Sequence, residues 1–258
     1  MKTRSRFRKA KAQRAARRAS GAPAPSRGDW LTLLGVVLAL GALYGVDLQR
    51  QGGALVLDWQ AWLARGLMLG LLLGGFCAYL WVRQPQLLQR GLDRWFLVAL
   101  LGLTAAVAQL LGGLSPFSPL LIPVSLGVGL VVMFFGPEVG LVFALLASGM
   151  AALSTLAGDG PGVALVLLAG AMVMVLRARR LERQRELILI GLEVGLVNIG
   201  ALLALTLASS ATSWNWLQFA VAGLNGPINA LLLMGLIPLA EYVLQRTSPL
   251  GLIELLNT

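Results

Sequence analysis

Long apolar runs separated by short polar stretches occupy most of the chain from residue 30 onward. A helix of about 20 apolar residues is long enough to cross the hydrocarbon core of a bilayer. The pattern therefore predicts an all-α fold, a polytopic membrane bundle of about eight transmembrane helices. The predicted helices are 30–46, 62–82, 95–112, 119–135, 138–157, 161–176, 187–209 and 217–240.

Only Gly136 and Pro137 separate the fourth predicted helix from the fifth. This pair fits either a tight turn between two helices or a break within one, which leaves the count at seven or eight. We favour eight, because the 39 residues from 119 to 157 are about twice as many as one crossing needs.

The basic residues predict the orientation of the chain. With the N-terminus inside and eight crossings, 19 of the 21 Lys and Arg residues fall on the cytoplasmic side. Such a bias is what the positive-inside rule describes. We therefore expect both termini to be cytoplasmic, in an integral protein of a membrane such as the bacterial inner membrane.

The N-terminal 29 residues hold ten of those basic residues against a single acid, Asp29. We expect a cytoplasmic tail without a fold of its own, which sets the topology and contacts anionic lipid. Nucleic-acid binding is the sharper alternative. A single aromatic residue in the tail, Phe7, and the lack of a folded surface around it argue against that role.

Composition narrows the chemistry further. Apolar residues make up 57% of the chain and charged residues 12%, about half the charged share of a soluble domain. These 258 residues contain no histidine, which excludes imidazole-dependent metal sites and triads within them. Cys77 is the single cysteine, so the chain cannot form an internal disulfide. We expect no catalytic, cofactor or metal residue in this chain.

Several polar side chains interrupt the apolar runs, where burying them is costly and usually has a reason. A transporter would use them to line an ion or proton path. Alternatively they form hydrogen bonds between helices, with the acids close enough to the inner boundary to reach water or an arginine such as Arg185. We favour the second interpretation. The candidates are Glu138, Glu193, Asn198, Asn225 and Asn229.

Gly66, Gly70 and Gly74 recur at four-residue spacing, which places them on one face of the second predicted helix. Small residues let another helix approach closely. That helix belongs either to a second copy, in a homo-oligomer, or to the same bundle, and we favour the bundle. The pairs Gly136/Gly140 and Gly191/Gly195 repeat the spacing.

The end of the chain carries the most specific pattern. Asn225-Gly226 is followed by Gly235-Leu-Ile-Pro238-Leu-Ala-Glu241, and Thr247-Ser248 then leads into a Leu-rich stretch containing Glu254. This resembles the membrane-to-cytoplasm junction of the seven-transmembrane HD-hydrolase family, the membrane-bound cyclic-di-AMP phosphodiesterases. The resemblance extends back over about residues 62–258, through the arginine cluster 177–185, the glycine-rich seventh helix and Pro119 and Pro123.

The resemblance implies one N-terminal helix, an extracellular sensor, seven more helices and a cytoplasmic HD domain whose His and Asp ligands hold metal. This chain departs from that order in two ways. About 15 residues stand where the sensor would be, and the sequence stops at Thr258, where the HD domain would begin. We therefore expect four parts: a tail (1–29), an anchor (30–46), a seven-helix domain (62–240) and a linker toward an HD domain (241–258).

The function that follows is a membrane anchor and signal relay for a cyclic-dinucleotide phosphodiesterase, itself not catalytic. The expected partner is a cytoplasmic HD-type domain or protein. The candidate coupling residues are Gly235, Pro238, Glu241, Thr247 and Glu254. The alternatives are a small solute or ion transporter, and an accessory subunit of a larger membrane complex.

Overall fold

The computed structural model describes residues 49–51, 54–56, 59–113, 118–155, 160–178, 181, 184–208 and 215–245. The predicted tail, the predicted helix 30–46 and the candidates Thr247 and Glu254 lie outside these residues. The described part is helical apart from one small hairpin, in which β1 (Gln49–Gln51) pairs antiparallel with β2 (Ala54–Val56).

Within the described residues, eight α-helices follow the hairpin. They are α1 (Trp59–Arg83), α2 (Pro85–Gln89), α3 (Gly91–Gly113), α4 (Val124–Phe135), α5 (Pro137–Ser154), α6 (Gly160–Ala178), α7 (Gln184–Ala208) and α8 (Trp216–Leu244). Within the described residues, six of them are long and apolar enough to cross a membrane; α2 and α4 are shorter. The architecture is that of a helical membrane bundle, as the apolar pattern predicts. The number of crossings and the orientation of the termini stay predictions.

The stretch predicted as one helix over 119–135 is divided in the structure. A 3₁₀ turn (Pro119–Leu121) comes first, and α4 begins only at Val124. Pro123 cannot donate a backbone hydrogen bond, which separates the two pieces. At 1.5 Å per residue the 12 residues of α4 rise about 18 Å, too little to cross a 30 Å core.

Gly136 is the corner between α4 and α5. Its φ of +95° and ψ of 167° lie in a region essentially reserved for glycine. Pro137 occupies the first turn of α5, where its missing N–H costs nothing. The two helices then lie side by side, since a Cβ added at Gly127 would meet Phe143 and one added at Gly140 would overlap Val132. Gly136 and Pro137 thus form a tight turn between two helices rather than a break within one.

The core of the bundle is centred on α4. Ten successive residues, Val124 to Met133, are buried, so the helix is covered on all sides. It packs against α3, α5, α6 and α8. A helix that is apolar all round belongs in the middle of a bundle. By contrast α1 lies at the edge, in contact with α2 and α5.

Candidate functional site

The break before α4 exposes backbone groups in the interior of the bundle. Within the turn, Leu121 N donates to Ser118 O (3.0 Å) and Ile122 N to Pro119 O (3.2 Å). Val124 N then donates to Ile122 O (2.9 Å) instead of continuing the helical pattern to Leu120 O. Leu120 O therefore needs another donor. Irregular backbone at membrane depth is tolerated only where the protein satisfies it or water reaches it.

Asn225, in the middle of α8, supplies that donor. Its side-chain Nδ2 donates to Leu120 O (2.5 Å) and to Ile122 O (3.2 Å). One turn later, Asn229 Nδ2 donates to Asn225 Oδ1 (2.8 Å) and to Ser125 Oγ in the first turn of α4 (2.8 Å). Asn225, Asn229 and Ser125 are all buried. We call these three side chains with Leu120 O and Ile122 O the asparagine clamp; it ties α8 to the break before α4.

Asn225 lies at the centre of the clamp. Asn225 uses both its amide hydrogens and its oxygen, and Asn229 holds that oxygen in place. Buried polar networks stabilise a single arrangement when every member is satisfied. These contacts favour the interpretation of Asn225 and Asn229 as groups that join helices.

Helices α7 and α8 meet through glycines on both sides. A Cβ added at Gly191 would lie 3.0 Å from Gly226 O, and one at Gly195 would overlap Gly223 O. Pro227 cannot donate to Gly223 O, the acceptor four residues earlier in α8. That freed carbonyl faces Gly195 across the interface, where a Cα–H group is its near neighbour. The spacing of Gly191 and Gly195 thus serves contact within the bundle.

Asn198 lies beside this interface. It is 1% exposed, and its Nδ2 donates to Ala222 O of α8 at 3.4 Å, a long hydrogen bond. Its Oδ1 has no hydrogen-bond partner among the described residues and lies against Gly170 of α6, where an added Cβ would overlap it. Asn198 thus contacts both neighbouring helices.

The two acidic candidates lie near the end of the bundle where α5 begins and α6 ends. Glu193 forms a bidentate ion pair with Arg177 in the last turn of α6, with Arg177 Nε 2.8 Å from Glu193 Oε2. The sequence suggested Arg185 as a partner, and the structure places Arg177 there. Glu138 is exposed in the first turn of α5, where a negative charge interacts favourably with the helix dipole.

The candidate coupling residues follow the clamp toward the C-terminal end of α8. Gly235 and Pro238 are exposed, while Glu241 is half-buried and its backbone oxygen accepts from Gln245 N at the helix end. Pro238 lacks the N–H that would bond to Met234 O, so α8 loses one hydrogen bond between the clamp and its end. These residues do not touch the clamp directly; α8 connects them.

Three groups were absent from the sequence-based candidates. Ser125 joins the clamp, and Arg177 pairs with Glu193. Asp93, in the first turn of α3, is 1% exposed. Ser125 could have been found from its place two residues after Pro123, and Arg177 from its place at the start of the arginine cluster 177–185. Asp93 carries no distinguishing signal. No group of three His, Cys, Asp or Glu side chains able to hold a metal occurs in the part of the chain that the structure describes.

Comparison with known proteins gives one match. The family model described as "7TM receptor with intracellular HD hydrolase" matches residues 59–248, well over half of the chain. No curated protein matches, and no solved structure does. The matched range begins with α1 and runs just past the end of α8. It therefore contains the break before α4, the asparagine clamp and the candidate coupling residues up to Thr247. The chain therefore belongs to the family of seven-transmembrane receptors with an intracellular HD hydrolase, of which it contains the membrane part.

Proposed function

We propose that this membrane domain anchors a cytoplasmic HD-type hydrolase and relays a signal to it through α8. The family supports the partner class, since its description joins a seven-helix receptor to an intracellular HD hydrolase. Within these 258 residues there is no histidine to hold the metal ions of such an enzyme. The hydrolysis would therefore take place on the partner, with a cyclic dinucleotide such as cyclic-di-AMP as substrate.

The observation that carries the proposal is the asparagine clamp. It joins the break before α4 to the helix that leads to the C-terminal segment 241–258. The break is the place in the bundle where backbone hydrogen bonding is already interrupted, so a small rearrangement there breaks few helical hydrogen bonds. Any such rearrangement acts on Asn225 and hence on α8.

Helix α8 is suited to carry the displacement. Its glycine contacts with α7 bring the two backbones together, so the pair moves as one unit over the clamp region. Beyond it, Gly235 and Pro238 lower the stiffness of α8 near its end. Glu241 and the residues after it would then move with the end of α8, and the partner would respond to this displacement.

The experiment isolates the tagged chain from its own membranes in a mild detergent and measures metal-dependent hydrolysis of cyclic-di-AMP in the eluate. The proposal predicts that this activity co-purifies. It also predicts that replacing Gly235, Pro238 and Glu241 together changes the rate per mole of bound hydrolase, or the amount bound. The matched control replaces Leu231, Leu232 and Leu239 of α8, all exposed, by other apolar residues. Two results would contradict the proposal. One is that no hydrolase activity co-purifies with the wild-type chain; the other is that the triple variant binds the same amount of hydrolase, with the same rate per mole, as wild type.

A further inference from the structure

Helix α1 has one face without a partner among the described residues. Of the six candidate spans, α1 is the least covered, with 22% of its most apolar stretch buried. Its contact with the bundle runs along Leu69, Leu73 and Phe76, and Phe76 meets Phe143 of α5 edge-on at 6.4 Å. Gly66, Gly70 and Gly74 lie on another side of the helix, and a Cβ added at any of them has no neighbour within 4 Å in the described part of the chain.

These three glycines, flanked by Leu63 and Leu67, form what we call the glycine face. At 3.6 residues per turn it lies about a quarter turn from the side of α1 that contacts α5. Leu63 is 50% and Leu67 66% exposed. A second helix can therefore lie along the glycine face without displacing α5, its backbone close to that of α1 because no side chains intervene.

The hairpin decides which helix is within reach. Gln49 pairs with Val56, and α1 begins three residues after Val56. The predicted helix 30–46 ends three residues before Gln49. Paired strand residues lie about 5 Å apart, and three residues of chain span at most about 10 Å. The chain length therefore permits the end of 30–46 to reach the start of α1 at the 8–10 Å separation of packed helices.

The tethered segment has the composition that such a contact needs. Residues 30–46 contain no charge, and Gly41 and Gly45 repeat the four-residue spacing. Since the hairpin reverses the chain, the segment would run antiparallel to α1. A tether of this length also gives the segment an effective concentration in the millimolar range, which a second copy of the chain does not have.

We propose that residues 30–46 form a helix that packs antiparallel on the glycine face of α1. The predicted anchor is then an additional helix of the bundle, packed against α1, and the hairpin holds the two together at one end. The proposal concerns packing within the chain and is independent of the proposed relay to a hydrolase.

Disulfide cross-linking tests the proposal in the full chain. Cys77 is replaced by serine, a protease site is inserted between Gly52 and Gly53, and one cysteine is introduced by Gly70→Cys. Single cysteines at each position from 34 to 41 form the partner series. After mild oxidation in native membranes and proteolysis, the two fragments stay together only if a disulfide joins them. We expect cross-linking to rise and fall with helical periodicity along the series.

The control places the cysteine on another side of α1 by Gly75→Cys. An added Cβ at Gly75 also has no neighbour within 4 Å among the described residues, but Gly75 lies about 140° around the helix from Gly70. No fragment pair should be joined there. Leu67→Cys serves as a second anchor on the glycine face in case Gly70→Cys folds poorly. Disulfide-linked dimers through Gly70 or Leu67, or no cross-link at any position, would overturn the proposal.

Discussion

The side-chain amide of Asn229 donates a hydrogen bond to the side-chain oxygen of Asn225, one turn earlier in α8, at 2.8 Å. This contact fixes the orientation of the Asn225 amide, whose hydrogens then point at Leu120 O and Ile122 O. The irregular backbone before α4 and the continuous helix α8 thus depend on one another. The stability and the function that we propose for this domain both depend on this relationship.

Replacing Asn225 by leucine should destabilise the bundle by about 1–2 kcal/mol, because a buried carbonyl at Leu120 loses its donor. The measurement is the free energy of unfolding in SDS titrations from a mild detergent. Leu224→Ala is the matched control at the neighbouring position, which is 56% exposed. An Asn225→Leu protein as stable as the control would show that the clamp contributes nothing.

The glycine contact between α7 and α8 predicts a sharp contrast within one helix. Gly195→Ala would place a methyl group on Gly223 O, a backbone atom that cannot turn aside, and should cost about 1–3 kcal/mol. Gly200→Ala, also in α7, meets nothing within 4 Å and should be neutral or slightly stabilising. Thermal unfolding of the two variants side by side checks this, and equal melting temperatures would contradict the close packing.

The corner at Gly136 predicts a cost that comes from backbone geometry alone. Its added Cβ would meet no neighbour within 4 Å among the described residues, yet its φ of +95° is unfavourable for any other residue. Gly136→Ala should therefore destabilise by about 1–3 kcal/mol. Gly102→Ala in α3, which has equally open surroundings, should not. The same SDS titration compares them, and a Gly136→Ala protein as stable as wild type would place the corner elsewhere.

The ion pair between Arg177 and Glu193 should contribute a small amount of stability, which swapping the two charges should preserve. Both side chains are partly exposed on the bundle surface, 55% and 38%, near the end of α6, where we expect water to reach the pair and screen the attraction. Glu193→Gln should lower the melting temperature slightly, less so at high salt. The double variant Arg177→Glu with Glu193→Arg should recover most of the loss. If vesicles containing the chain took up an ion or solute and Glu193→Gln abolished that uptake, Glu193 would belong to a transport path instead.

Much of the bundle could be predicted from the sequence, because apolar runs of membrane length have few alternatives. The helices from 62 to 240 appear within a few residues of their predicted positions, apart from the stretch 119–135. There the hydropathy pattern is one continuous apolar run, while Pro119 and Pro123 divide the backbone into a turn and a short helix. Hydropathy does not respond to a missing N–H, so the break could be found only from the prolines.

The site was harder to predict, because it is formed by hydrogen bonds between residues that are far apart in the sequence. Asn225 and Asn229 stood out as polar residues in an apolar helix, and their partners did not. Two of those partners are backbone oxygens more than 100 residues away in sequence. For Gly66, Gly70 and Gly74, too, the sequence pattern does not identify the partner. Their spacing predicts a contact surface, and no partner for it lies within the described residues, so this stays a prediction.

The most direct test of the relay measures what the clamp does to the attached hydrolase. Asn225 lies 19 residues before the end of α8, or roughly 29 Å along the helix, so a substitution there cannot touch the partner. The measurement is the rate of cyclic-di-AMP hydrolysis per mole of hydrolase bound to the isolated chain, for wild type, Asn225→Leu and Gly136→Ala. Gly136→Ala controls for lost stability because it leaves the clamp intact. We expect Asn225→Leu alone to change the rate several-fold. Equal rates in all three proteins would contradict it.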